Sequence, residues 1–252
     1  MVACAPDAEL RGAAALVFVE DLNAPVLSLE DSHHLCDVLR LKPGEVVATA
    51  DGAGSFRMCA FTGPVLARKG PGSRKNVGCG LEATGPVKSM AKPLPLVEVG
   101  FSWAKAERTE WAVAKLVELG VNVLTPLVAD RTVVRPDREQ AARRSERLRR
   151  IIREAAMQSR RPFLPEMGAS CSVDEMARRD TPVALAEPGG SPVSLATPVV
   201  CVGPEGGWSV RELALVEAKV TLGDGVLRVE TAALVAGSLL CALRAMAVAV
   251  SH

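Results

Sequence analysis

The chain has 252 residues, of which 48 % are hydrophobic and 23 % charged, and its net charge is +1. That length allows one large domain or two modest ones with a sizeable core, in a soluble globular protein. The balance excludes a basic field over the whole surface, and the lack of tyrosine beside three tryptophans and five phenylalanines argues against a base-stacking sheet of the RRM type.

The first residues, "MVACAPDAELRGAAALVFVED", lack a basic segment and a long apolar run, so no signal peptide is expected. Short apolar or alternating runs at 15–21, 45–52 and 56–62 read as strands. Between them "LEDSHHLCDVLRL" reads as a helix closed by the turn "KPGE". The stretch 63–86 is rich in glycine, proline and basic residues and reads as a loop or linker. Residues 1–85 are therefore expected to form a small β-rich domain and residues 86–252 a second one.

From about residue 93 strands alternate with helices. "LPLVEVGF" predicts a strand, "AERTEWAVAKLVEL" a helix stopped by Gly120, and "VNVLTPL" the next strand. Asp137 and Gln140 suit a capping box for a long helix with an apolar stripe at Leu148, Ile151, Ile152 and Ala155. "PVALAEP" and "PVVCVG" read as buried parallel strands, and Ser209 with Glu212 as a second capping box. "KVTLG" is a last short strand before an apolar closing helix. That helix is about long enough to span a bilayer, but Arg244 within it favours a protein core or a subunit interface. The second domain is thus expected to be α/β with a mostly parallel sheet.

Seven cysteines (4, 36, 59, 79, 171, 201 and 241) show no CxxC spacing and are odd in number. Neither a disulfide framework nor a zinc site is expected, and a reducing cytoplasm fits best. The three histidines do not suggest a metal site either.

Two stretches carry chemistry. In "GPEGGWS" (203–209) the glycines let backbone N–H groups approach a ligand where a strand passes into a helix, and a turn without a ligand explains the residues equally well. In "LGDGVLRVETAALVAG" (222–237) Arg228 and Glu230 stand at the start of a buried helix, either paired with each other or facing a site. "DGAGSF" (51–56) has no following helix, so the dinucleotide fingerprint GxGxxG is absent. Between 131 and 161 eleven arginines face four acids, which suits either a solvated helix face or phosphate contacts.

"CVGPEGGWSVRE" followed by "LGDGVLRVETA" resembles the C-terminal signature of the ribosomal small-subunit methyltransferase E family, enzymes of the SPOUT class. "HHLCDVLRLKPGE", "KAERTEWAVAKLVELGV" and "REAAMQSRRPFLPEM" resemble further family motifs in the family's order, over most of the chain. Val229 and Trp208 depart from the usual family residues. The resemblance implies a PUA-like N-terminal domain, a C-terminal trefoil knot, a cytoplasmic homodimer and S-adenosylmethionine as cofactor. The implied reaction is methylation of N3 of a uridine in small ribosomal subunit RNA, within the assembled subunit.

Carried onto this sequence, the resemblance places the adenosine among Leu185, Gly203, Gly207, Leu222 and Leu227, with Glu187, Val202, Pro204, Gly206 and Gly223 beside it. Arg228 is expected to stabilise developing charge, and Glu230 or Glu205 to take the proton. His34, Arg40, Arg131, Arg135, Gln158, Arg160 and Arg161 are expected at the RNA. Two rivals remain: a SPOUT ribose 2′-O-methyltransferase, disfavoured because "RVETAALVAG" replaces an "SLNVS"-like segment, and an RNA-binding protein without catalysis.

Overall fold

The computed structural model describes residues 8–70 and 73–250. They fall into two compact units. One takes the N-terminal part of the chain through Lys92 together with Ala156–Leu164; the other takes Pro93–Ala155 and the chain from Pro165 onward.

The first unit begins with α1 (Ala8–Gly12) and β1 (Ala15–Phe18). Helix α2 (Leu29–His33) starts where the Ser28 hydroxyl accepts from the Asp31 amide at 2.9 Å, and it runs into a π-helical turn, His34–Val38. Strands β2 (Val46–Ala50), β3 (Ser55–Gly70), β4 (Ser73–Ala83) and β5 (Lys88–Ser89) follow. The sheet order is β1-β2-β3-β4 with β5 also on β3, and only β1 and β2 are parallel. Val17, Leu35, Val47 and Phe61 are fully or almost fully buried between this sheet and the α2 region.

Two sequence expectations are corrected here. The stretch 63–86, expected to be a linker, is mostly the β3–β4 hairpin. Its register shifts between Phe61 and Gly63 and again between Val65 and Leu66, so glycine and proline mark irregular pairing inside a ladder, not an exit from it. A disulfide also joins Cys36 and Cys79, 43 residues apart. The α2 region lies against β4, where the Ser32 hydroxyl accepts from the Cys79 amide, and sequence spacing carries no sign of that approach.

In the second unit the order is β6 (Glu98–Ser102), α3 (Ala106–Leu119), β7 (Val123–Val128), α4 (Arg138–Gln158), β8 (Glu166–Met167), β9 (Cys171–Ser172) and α5 (Val173–Ala177). Then come β10 (Val183–Ser191), β11 (Val199–Val202), α6 (Val210–Leu215), β12 (Ala218–Val220) and α7 (Val229–Val250). The sheet runs β12-β10-β11-β6-β7-β8, with every neighbouring pair parallel and β9 also on β7. Because β11 returns to lie beside β6 on the side away from β7, the chain changes direction between β6 and β11. Ligands of open parallel sheets bind at the carboxyl ends of strands beside such a reversal.

Gly120 ends α3 in the left-handed conformation, φ 101°. Helix α7 packs on α3, β6 and β11. By length and composition Val229–Ala247 is long and apolar enough to cross a membrane. Its Arg244, however, is 6 % exposed and donates to the carbonyl of Gly120 at 2.8 Å, the Pro95 carbonyl at 3.3 Å and the Asn122 side chain. The arginine thus supplies donors to a helix end whose carbonyls have no partner inside the helix. Replacing it by leucine leaves these buried acceptors unanswered. Arg244→Leu is expected to lower unfolding stability by about 2–4 kcal/mol, read as a fall in the urea midpoint at unchanged slope.

Candidate active site

A cavity of about 250 Å³ lies at the carboxyl ends of β10, β11 and β12. Residues 186–188 of β10 and the loops at 202–208 and 221–227 build it, and Ala232 of α7 completes the wall. Backbone leaving a parallel strand has N–H and C=O groups released from the ladder, which makes these loops suited to polar recognition.

The loop 203–209 is held from several sides. The Gly207 amide closes a turn on the Pro204 carbonyl at 2.8 Å, and Gly207 takes φ 68°, a conformation that favours glycine. A Cβ on Gly203 would stand 2.9 Å from the Trp208 ring, so that glycine allows close approach. Trp208 is 4 % exposed, packs in the core and donates from Nε1 to the Ala186 carbonyl at 2.9 Å. The capping box of α6 is complete: Ser209 Oγ accepts from the Glu212 amide, and Glu212 Oε2 accepts from the Ser209 amide.

The loop after β7 braces the same segment. Glu212 Oε1 accepts from the Asp130 amide at 2.8 Å, and Asp130 accepts from Ser209 Oγ at 2.5 Å. Arg211 bridges Asp130 at 2.9 Å and Asp174 at 2.7 Å. Hydrogen bonds from Arg211 first and Ser209 second hold the Asp130 carboxyl below its ordinary range, and the two aspartates push Arg211 up. Arg131 donates to the Gly206 carbonyl at 3.0 Å, and Arg135 to the carbonyls of Thr132 and Asp130.

Of the residues expected at a cofactor, Glu187, Val202, Gly203, Pro204, Gly207, Leu222, Gly223 and Leu227 line the cavity, as does Glu205. Two do not. Leu185 is fully buried in the core cluster beneath Trp208, because alternation along β10 brings the next residue, Ala186, to the cavity instead. Gly206 faces the Arg131 side chain. Sequence reading missed Ala186 and Pro188 in β10, and Thr221, Gly225, Val226 and Ala232 in or beside the second glycine-bearing turn, and treated Trp208 only as a departure.

The three expected catalytic residues are not grouped. Glu205 is at the cavity; Arg228 is exposed at the loop's end; Glu230, in the first turn of α7, lies 3.6 Å from Arg108 and lines a separate small void with Ser102 and Thr109. Arg108 was not singled out from sequence. Among the expected RNA contacts, Arg131 and Arg135 brace the loop just described. His34, Arg40, Gln158, Arg160 and Arg161 belong to the first unit. There Arg40 and Gln158 are exposed, and His34 and Arg161 are partly exposed. Arg160 is committed to backbone: it donates to the carbonyls of Ala13, Ala14 and Met157, and burial lowers its pKa.

With this geometry in view, comparison with known proteins is specific. Residues 91–241 match the family model described as an RNA methyltransferase domain, and residues 28–64 match an RNA methyltransferase PUA domain. The fold and the matched domains define an RNA methyltransferase of α/β type with a PUA-like domain. The chain is 30 % identical over 236 residues to the ribosomal RNA small subunit methyltransferase E of Mycobacterium tuberculosis, covering 84 % of this chain and 83 % of that one. It belongs to the ribosomal RNA small subunit methyltransferase E family. Among solved structures it resembles a probable rRNA methyltransferase from Porphyromonas gingivalis, with TM-score 0.75 and 25 % identity over 92 % of this chain and 99 % of that one. A putative methyltransferase from Legionella pneumophila, in complex with bound cofactor SAM, gives TM-score 0.74 and 26 % identity, over 90 % and 96 %.

The brace on the loop depends on pH. Asp130 has a folded pKa below its unfolded value, so its contribution is fully present above the ordinary carboxylate range, about pH 4. It is lost as pH falls through the lower folded value. Urea midpoints measured from about pH 5 down to pH 2.5 should fall more steeply for the wild type than for Asp130→Asn, which cannot titrate there.

Proposed function

We propose that this chain transfers a methyl group from S-adenosylmethionine to N3 of a uridine in small-subunit ribosomal RNA. The observation that carries the reading is the cavity at the carboxyl edge of the parallel sheet, walled by two strand-to-helix loops and the Ala186–Pro188 stretch of β10, and braced through Ser209, Glu212 and Asp130. The names of the relatives support the reaction class, and the SAM-bound relative supports the cofactor. The residues fit that cofactor chemically. Loop peptide groups suit an adenine edge, and the carboxylates of Glu187 and Glu205 suit a cationic ligand. Gly203, Gly207, Leu222 and Leu227 would hold the adenosine, with Val202, Pro204 and Gly223 beside them.

When bound, S-adenosylmethionine supplies an electrophilic methyl group. The protein must orient the uracil ring, accept the N3 proton and offset negative charge on the uracil oxygens. Glu205, at the cavity wall, is the proton acceptor in this reading. Arg228 is exposed beside Leu227, where an incoming base can reach its guanidinium, and it offsets the charge. Glu230 and Arg108 pair at the start of α7 and hold that end of the site.

The same reading extends to the trefoil knot, for which the strand order β12-β10-β11-β6-β7 is suitable, and to a cytoplasmic homodimer acting on the assembled subunit. Leu239 and Met246, exposed on α7, would lie in the dimer contact.

The test is transfer of labelled methyl to small ribosomal subunits lacking the modification, followed by digestion to nucleosides and mass spectrometry. The expected product is 3-methyluridine; a ribose-methylated nucleoside would overturn the assignment. Arg228→Ala should reduce kcat by about 10²–10³, and Glu205→Gln by about 10²–10⁴, both still binding RNA. Wild-type turnover by Arg228→Ala removes its role.

A further inference from the structure

A second cavity, of about 360 Å³, lies in the same unit between the start of α3 and the first half of α4. Its walls are apolar at Trp103, Ala106 and Leu148, basic at Arg143, Arg144 and Arg147, and acidic at Glu107 and Glu110. Trp103 directly follows β6, and in β6 Phe101 stands opposite Val202, a wall residue of the first cavity. Both cavities therefore belong to the carboxyl edge of the sheet. Thr109 links them further: it lines the second cavity and also the small void that touches Val229 and Glu230, one turn before Ala232 of the first cavity.

Three arginines against two glutamates leave the lining basic, and the arginines suit an anion. Arg143 pairs with Glu139 and Arg147 with Glu110, each at 2.5 Å, and both arginine side chains are more than two-thirds exposed. The Arg143–Glu139 pair is exposed at both partners and contributes little, whereas Arg147 holds the mostly buried Glu110 through Nε and Nη2 and would meet an anion with Nη1. Arg144 is different. Its guanidinium lies 5.8 Å from the centroid of the Trp103 ring, and its Nη1 is buried without a hydrogen-bond partner. A buried donor left unanswered is costly, and a turn of the Arg144 side chain toward the cavity would bring it to an anionic oxygen there. Guanidinium forks match phosphate in geometry, while the apolar wall suits the face of a base.

We propose that this cavity is a nucleotide subsite that takes one nucleotide of the substrate RNA, a neighbour of the methylated one, with its phosphate on Arg144 and Arg147. The proposal rests on the RNA methyltransferase reading above. A free mononucleotide has the same chemistry. An RNA strand is favoured because the cavity shares the sheet edge where the target base must arrive, and its exposed arginines line a path for the strand's continuing backbone.

The experiment compares wild type with Arg144→Ala, Arg144→Lys and Ala106→Phe. Ala106 is exposed at the start of α3, so phenylalanine there fills the cavity without removing a charge or a core contact. Binding of a labelled small-subunit ribosomal RNA transcript is followed by fluorescence anisotropy over a range of salt. Binding of S-adenosylmethionine and of uridine and guanosine 5′-monophosphates is followed by calorimetry. Arg144→Ala is expected to weaken RNA binding about tenfold and to flatten its salt dependence. Arg144→Lys recovers only part of the loss, since it keeps the charge but not the planar fork. Ala106→Phe weakens RNA binding at an unchanged melting temperature, and it carries the test if Arg144→Ala folds poorly. Cofactor binding stays at the wild-type level in all three. RNA affinity unchanged in Arg144→Ala and Ala106→Phe overturns the subsite. Mononucleotide binding that disappears in Arg144→Ala while RNA binding persists also overturns it, and assigns the cavity to a free nucleotide. Absence of cofactor binding or methylated product in the wild type is a separate result, and it removes the methyltransferase reading instead.

Discussion

One buried carboxylate joins the two loops on which the site depends. Glu212 is 1 % exposed, and its two oxygens accept from the amides of Ser209 and Asp130. The first amide belongs to the helix start that ends the "GPEGGW" loop, the second to the loop after β7. A buried carboxylate is tolerated where such donors satisfy it, and removing either donor leaves it unanswered. That constraint helps fix where Glu205 and Gly207 stand, together with the short turn at Gly207, the Trp208 anchor, and the contacts of Arg131 with Gly206 and of Asp130 with Ser209. Around Glu212 the exposed charges of Asp130, Arg211 and Asp174 add a network that salt and acid can weaken, so the bracing has a permanent part and a conditional part.

The parallel sheet decides what the loops can reach. Strands that end side by side put their following loops within one patch, and the reversal between β6 and β11 leaves room there. Helix α7 ties this edge to the opposite end of the sheet. Its first turn holds Glu230 against Arg108, and near its far end Arg244 answers carbonyls at the close of α3 and before β6. An apolar helix with one buried arginine is thus a strut between two ends of one unit, which accounts for a composition that could also suit a membrane.

Much of this was legible along the chain because it is local. A capping box involves residues three apart, so Ser209 and Glu212 announced the start of α6, and Gly120 announced the end of α3. Where the same local signals served a non-local purpose, they misled. Glycine and proline in 63–86 punctuate a bulged hairpin, whose partner strand supplies the pairing that the sequence pattern hides. Arg160 sits among basic residues in a motif, yet it donates to carbonyls nearly 150 residues earlier in the chain. Leu185 lies one residue out of phase with the cavity because side chains alternate along a strand, and the register is set by the neighbours β11 and β12.

The sequence by itself determined the main alternation of strands and helices after residue 93, the two glycine-bearing turns and the family, because short-range hydrogen bonding and hydrophobic period are properties of adjacent residues. Only the tertiary structure decided which of those residues face one another. It brought residues 186–188 of β10 and the loops at 202–208 and 221–227 to one cavity, divided Glu205 from Glu230, paired Cys36 with Cys79 and set Arg144 of α4 over Trp103. The reason is that long-range contacts are chosen by strand order and packing of the whole unit, and no window of neighbouring residues contains that information.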